Sequence, residues 1–87
     1  MKVMAIPIEM VSYTDNKGSI KPIRFRVQIA DEPMQVIKID KVITANKEKL
    51  AGNNMIVFKC QSVINGLDKI YEIKYELSSC RWILFKM

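Results

Sequence analysis

The chain has 87 residues, of which 49% are hydrophobic, and it carries a formal net charge of +5. This length corresponds to one domain, 1–87, and the hydrophobic fraction is typical of a globular protein rather than a disordered one. Because the sequence contains no histidine, the commonest general base is missing and no Ser-His or Cys-His catalytic pair can form.

The first half of the chain predicts strands, because apolar and polar side chains alternate along it. Residues 2–13 are expected to form the first strand, in which Pro7 indicates an edge or a bulge. Residues 20–29 are expected to form the second. The side chains predicted to point inward are Met4, Ile6, Ile8 and Met10 from the first strand, and Ile23, Phe25, Val27 and Ile29 from the second.

A third strand is predicted over residues 35–43. A five-residue loop before it would pair Phe25 with Ile39 and Arg24 with Asp40. The alternation breaks at Lys41-Val42-Ile43, which predicts a β-bulge.

The stretch between the third strand and the C-terminal third predicts a connection with one short helix or loop near residues 46–51. Asn46 resembles a helix N-cap, and Gly52 stands where a helix often ends. Leu50 would anchor this segment to the core.

The C-terminal third, residues 55–87, predicts a three-stranded antiparallel meander. Asn65-Gly66 is the strongest short hairpin signal, since a type I′ turn needs φ > 0 at both central positions. The next turn is expected at Ser78-Ser79. These turns predict the pairs Ile64–Leu67, Cys60–Tyr71, Phe58–Ile73, Ile56–Tyr75, Lys59–Glu72, Val57–Lys74, Tyr75–Trp82, Ile73–Leu84, Glu76–Arg81 and Tyr71–Lys86.

The meander has one clean apolar face and a second face on which apolar and charged residues mix. Four apolar side chains on the second face would form an exposed patch if they were left in water. Either the N-terminal strands fold over them or another subunit does. The candidates for self-association are therefore Ile70, Ile83, Phe85 and Met87.

Taken together, the elements predict an all-β fold, a small antiparallel meander of about six strands that closes into an SH3-like barrel or a sandwich. The two cysteines, Cys60 and Cys80, fall about 20 Å apart in the predicted register, too far for a disulfide. We expect free thiols and a reducing compartment. No metal site, cofactor, secretory signal or membrane-spanning segment is indicated, so a cytoplasmic protein is expected.

A basic strand face is the best functional feature of the sequence. Small β-barrels bind single-stranded nucleic acid through basic grooves with exposed aromatic side chains. Tyr13 and Phe85 are the only aromatic residues that we expect to be exposed. Two observations argue against a functional basic face. Ordinary solubility also explains the net positive charge, and Asp40 is expected to form an ion pair with Arg24. The candidates for nucleic-acid binding are Arg24, Arg26, Lys38 and Lys41.

Several strings between residues 20 and 86 resemble a family of small uncharacterised bacterial β-domains. They are Lys21-Pro22-Ile23-Arg24-Phe25-Arg26, Tyr71-Glu72-Ile73-Lys74-Tyr75 and Arg81-Trp82-Ile83-Leu84. The resemblance covers residues 20–86 and rests on core-type residues, so it implies a fold rather than an activity. Domains of this kind occur alone and beside DNA-repair polymerase modules, so the resemblance supports nucleic acid as a candidate ligand.

The sequence therefore predicts a non-enzymatic interaction domain that associates with itself or with another protein through the second face of the meander. The alternative is a nucleic-acid-binding module that uses the basic strand face. Self-association predicts that substitution of an apolar residue on the second face by Glu yields a monomer. Nucleic-acid binding predicts affinity that falls steeply with salt.

Overall fold

A computed structural model describes residues 1–87 and shows seven antiparallel β-strands and no helix. The predicted all-β antiparallel fold is confirmed. The strands form one sheet in the order β3-β2-β1-β7-β6-β5-β4. They are β1 (Val3–Thr14), β2 (Ile20–Val27), β3 (Gln35–Lys38), β4 (Lys41–Leu50), β5 (Asn53–Ile64), β6 (Leu67–Glu76) and β7 (Arg81–Lys86).

The sheet curls into a half-barrel because two stretches of the chain, β1 and the corner between β3 and β4, each form hydrogen bonds to strands in both halves of the sheet. β1 pairs with β7 through its first part and with β2 through its second part. β3 and β4 lie at opposite edges of the sheet, although only Ile39 and Asp40 separate them. The Ile39 amide donates to the Ile23 carbonyl of β2 at 3.0 Å, and the Asp40 amide donates to the Gln61 carbonyl of β5 at 3.0 Å. This corner joins the two edges and gives the fold its barrel-like shape.

The hydrophobic core lies inside the curl, between the β2–β3 arm and the C-terminal meander. Two aromatic contacts lie at its ends. The rings of Phe25 and Tyr71 meet edge to face with their centres 5.7 Å apart, and the ring centres of Phe58 and Trp82 are 5.6 Å apart. Because Phe25 and Tyr71 come from opposite sides of the curl, their contact helps to hold the half-barrel closed. The buried core residues are Phe25, Val27, Ile37, Ile39, Phe58, Cys60, Tyr71, Ile73, Trp82 and Leu84.

The predicted register of the meander is confirmed in all but one pair. Lys86 pairs with Glu72 rather than with Tyr71, because a bulge lies between Glu72 and Ile73. The two-residue turn at Asn65-Gly66, with φ of 52° and 77°, fixes the β5–β6 register as expected.

The predicted helix or loop at 46–51 is wrong, because this segment is the second half of β4. It pairs residue by residue with β5, from Asn46 opposite Val57 to Leu50 opposite Asn53. Gly52 does not end a helix but completes a hairpin turn with Ala51. Leu50 is 69% exposed and does not anchor the segment to the core.

The predicted β2–β3 register is shifted by two residues. Phe25 lies opposite Ile37, and Arg24 lies opposite Lys38. The connection between the strands has seven residues, 28–34, rather than five. A shift of two leaves each side chain on its predicted face but changes every partner.

The bulge predicted at Lys41-Val42-Ile43 is present, since the β4 register shifts between Val42 and Thr44. No bulge lies at Pro7, which pairs in register with Ile83; the register of β1 shifts before it, between Val3 and Ile6. A third shift places Ile23 out of register, so Pro22 rather than Ile23 is buried in the core.

Candidate functional site

The outer surface of the β1–β2–β3 arm carries a group of basic side chains. Pro22, Phe25 and Val27 are buried, and the residues of β2 that alternate with them point to solvent. We define the basic face as the exposed cations of this surface and of the adjoining corner: Lys21, Arg24, Arg26, Lys38 and Lys41. All four residues predicted for nucleic-acid binding are on it, together with Lys21.

Most cations of the basic face have no acidic partner. The structure contains two ion pairs: Arg26 with Glu9 at 2.7 Å, and Lys74 with Glu48 at 3.0 Å. Only the first lies on this face. Arg24 stands directly opposite Lys38 across β2 and β3. Like charges in directly opposite positions destabilise a sheet, so this pairing does not serve the fold.

A depression of about 380 Å³ lies at the corner between β3 and β4 and is lined by three lysines of the basic face, Lys21, Lys38 and Lys41. We call it the lysine depression. Asp40 is the only acidic residue in its wall. The Asp40 carboxylate already accepts a hydrogen bond from the Val63 amide at 2.9 Å. The depression therefore offers ammonium groups to an anion and little acidic competition.

A second depression, of about 290 Å³, lies between the two arginines of β2. Val11 and Val36 form apolar walls beside Arg24 and Arg26. The basic face thus combines cations with exposed apolar surface.

Tyr13 is the exposed aromatic side chain of this surface. It is 61% exposed and pairs with Lys21 across β1 and β2. Its outward direction follows from the register, because the preceding Ser12 pairs with the buried Pro22. The prediction that Tyr13 is exposed is confirmed.

Phe85, the other predicted exposed aromatic residue, is covered. The Lys74 ammonium lies 3.7 Å from the centre of its ring, and the Lys86 ammonium lies 5.4 Å away. Lys74 itself is only 9% exposed and pairs with Glu48. These cation–π contacts make Phe85 part of the outer packing of the meander.

A buried hydroxyl pair holds the corner that carries Lys38 and Lys41. The Ser62 hydroxyl donates to the Lys38 carbonyl at 2.7 Å, and its oxygen lies 2.6 Å from the Tyr71 hydroxyl. Since Ser62 has one proton and gives it to Lys38, Tyr71 donates to Ser62. Burial raises the pKa of the Tyr71 phenol well above its usual range, so Tyr71 stays protonated and able to donate.

The predicted self-association residues do not form one open patch. Ile70 is 41% exposed, whereas Ile83 and Phe85 are half-buried on the outer face of the meander. Met87 packs against the hydrophobic core. The N-terminal strands cover the opposite, inner face, so the outer face stays at the surface of the chain.

The cysteines are free, as predicted: Cys60 is buried and Cys80 is exposed. Burial raises the pKa of the Cys60 thiol to about 12, which keeps it protonated and unreactive at neutral pH. No group of three His, Cys, Asp or Glu side chains is placed to hold a metal ion. No helix of the chain is long and apolar enough to span a bilayer.

Sequence reasoning found the cations but not their partners. The pair Arg24–Asp40 was wrong because the loop length was underestimated, and Arg24 meets Lys38 instead. The ion pair between Arg26 and Glu9 was missed, since it depends on the register between β1 and β2. No local pattern specifies that register, because the turn at 15–19 has no two-residue hairpin signature.

Comparisons with known proteins found no match among family models, curated proteins or solved structures. The resemblance to small bacterial β-domains therefore stays a prediction.

Proposed function

We propose that this chain is a non-enzymatic module that binds nucleic acid through its basic face. The observation that carries the proposal is the placement of Arg24 directly opposite Lys38 without an acidic partner for either. A fold that maintains such a pair gives up stability. A polyanion would remove the repulsion by neutralising both charges.

The chemistry of the basic face suits a phosphate backbone. Arginine and lysine side chains contact phosphates and release condensed counterions, which supplies most sequence-independent affinity. The lysine depression and the two β2 arginines are adjacent, so several phosphates along one strand can be contacted together. The net charge of +5 would assist association by long-range attraction.

The test is fluorescence anisotropy with a labelled single-stranded oligonucleotide at low and moderate salt. We expect salt-sensitive binding that Arg24→Gln with Lys38→Gln weakens severely. The matched control is Lys49→Gln with Lys69→Gln, which removes the same charge from exposed positions on β4 and β6. Absence of binding at low salt, or equal weakening by both double variants, would contradict the proposal.

Self-association through the outer face of the meander is a second candidate. It is favoured by Ile70, which is 41% exposed, and by its diagonal neighbour Val63 on β5, which is 59% exposed. Ile83 is half-buried on the same outer face, on β7. This role is compatible with nucleic-acid binding, since the two faces lie on opposite parts of the half-barrel.

Analytical ultracentrifugation over a range of protein concentrations tests the second candidate. A concentration-dependent oligomer that Ile70→Glu or Ile83→Glu converts to a folded monomer would support it. Val36→Glu, at an exposed apolar position on the other arm, is the control. A monomer at all concentrations in the unsubstituted protein would rule it out.

A further inference from the structure

We infer that the basic face selects single-stranded nucleic acid, with one base stacked on Tyr13 and the neighbouring phosphates held in the lysine depression. This inference rests on the proposed function and names its substrate class. Tyr13 is the only exposed aromatic side chain on the face. Such a ring can stack on an unpaired base but not on a base that is already stacked inside a duplex.

The position of Tyr13 relative to the cations carries the first step. Tyr13 lies opposite Lys21 across β1 and β2, so their Cβ atoms are about 5 Å apart. Lys21 is also a wall of the depression that holds Lys38 and Lys41. The aromatic ring and the anion-binding depression are therefore continuous, with Lys21 common to both.

The exposure of Tyr13 carries the second step. The ring is 61% exposed, no aromatic neighbour contacts it, and its hydroxyl takes part in no hydrogen bond within the chain. An aromatic ring with no structural partner beside a phosphate site is suited to stack an unpaired base. A base inside a duplex is already stacked on both sides and cannot offer its face to such a ring.

The size of the face carries the third step. From β1 to β3 it spans two strand spacings, about 10 Å, and from Lys21 to Arg26 it spans about 16 Å along β2. A surface of these dimensions contacts about four nucleotides, at the lower end of the site sizes known for small β-barrels. We expect a short site without strong base preference, since stacking accepts every base.

The discriminating experiment compares Tyr13→Ala and Tyr13→Phe in anisotropy titrations with labelled oligothymidylate and with the duplex that it forms with oligoadenylate. Tyr13→Ala should weaken binding of the single strand by about 5- to 150-fold, the equivalent of ~1–3 kcal/mol for one stacked base. Tyr13→Phe should retain the affinity, because the ring is kept. Leu50→Ala, at an exposed apolar position at the end of β4 and outside the basic face, is the control and should leave binding unchanged.

Two outcomes would overturn the inference while the proposed function survives. One is equal affinity for the single strand and the duplex. The other is unchanged binding by Tyr13→Ala in a protein whose binding is still lost on Arg24→Gln with Lys38→Gln. If no nucleic acid binds to the unsubstituted protein at low salt, the result contradicts both the proposed function and this inference.

Discussion

At the scale of the residue, the fold depends on one buried polar cluster at the corner between β3 and β4. Ser62 is fully buried and bridges Tyr71 on β6 and the carbonyl of Lys38. A buried group left without its partner loses more stability than a simple hydrogen bond supplies. The corner that presents Lys38 and Lys41 is thus fixed from inside the core.

Substitution of the two hydroxyls should therefore have unequal effects. Ser62→Ala leaves both the Lys38 carbonyl and the Tyr71 hydroxyl without a partner, and we expect a loss of about 1–3 kcal/mol in the free energy of unfolding. Tyr71→Phe keeps the bond from Ser62 to Lys38 and should lose only about 0.5–1.5 kcal/mol. Urea denaturation measures both. A greater loss in Tyr71→Phe would show that the donor order is reversed.

The repulsion between Arg24 and Lys38 predicts that stability and binding change in opposite directions. Lys38→Glu creates an opposite-charge pair across β2 and β3 and should raise the free energy of unfolding by about 0.2–1 kcal/mol. The same change should weaken nucleic-acid binding. The measurements are urea denaturation at low salt and anisotropy on one protein sample. Lower stability in this variant would show that the structure tolerates the like-charge pair without cost.

At the scale of the element, the clearest difference between expectation and structure is β4. Residues 46–51 have good helix formers and a glycine, but their pairing with β5 decides their conformation. Helix propensity is a weak preference that a long hairpin overrides. The turn at Ala51-Gly52 went unrecognised because alanine rarely occupies its first position.

This turn predicts a stabilising substitution. Ala51 has a φ of 52° and Gly52 a φ of 83°, which resembles the turn at Asn65-Gly66. A left-handed conformation is unfavourable for alanine by about 1–2 kcal/mol and less unfavourable for asparagine. Ala51→Asn should therefore raise the free energy of unfolding by up to about 1 kcal/mol. Urea denaturation tests this, with Asn65→Ala expected to lower stability. No gain in Ala51→Asn would contradict the assigned turn.

The accuracy of the sequence predictions followed the strength of the turn signals. Asn65-Gly66 fixed the β5–β6 register correctly, because a two-residue turn leaves no freedom in the pairing. The seven-residue loop before β3 has no such signal, so the faces of Arg24 and Lys38 were predicted correctly but their partners were not. Pairing between distant elements, such as Arg26 with Glu9, depends on tertiary register that local patterns do not contain.

At the scale of the whole molecule, the half-barrel separates two kinds of surface. The β1–β2–β3 arm presents the basic face with Tyr13, and the meander presents an outer face with Ile70 and the covered Phe85. The core and the Ser62 cluster hold these surfaces in fixed relation. If the proposed function holds, a polyanion would bind on one side of the chain, and the outer face of the meander would stay free on the other.

Amide chemical-shift mapping would show directly whether nucleic acid binds to the β1–β2–β3 arm. Oligothymidylate would be titrated into isotopically labelled protein while proton–nitrogen correlation spectra are recorded. Binding at the basic face should cause progressive shifts at Tyr13, Lys21, Arg24, Lys38 and Lys41, with little change at Lys49 and Lys69. Shifts confined to β5, β6 and β7, or no shifts at low salt, would contradict it.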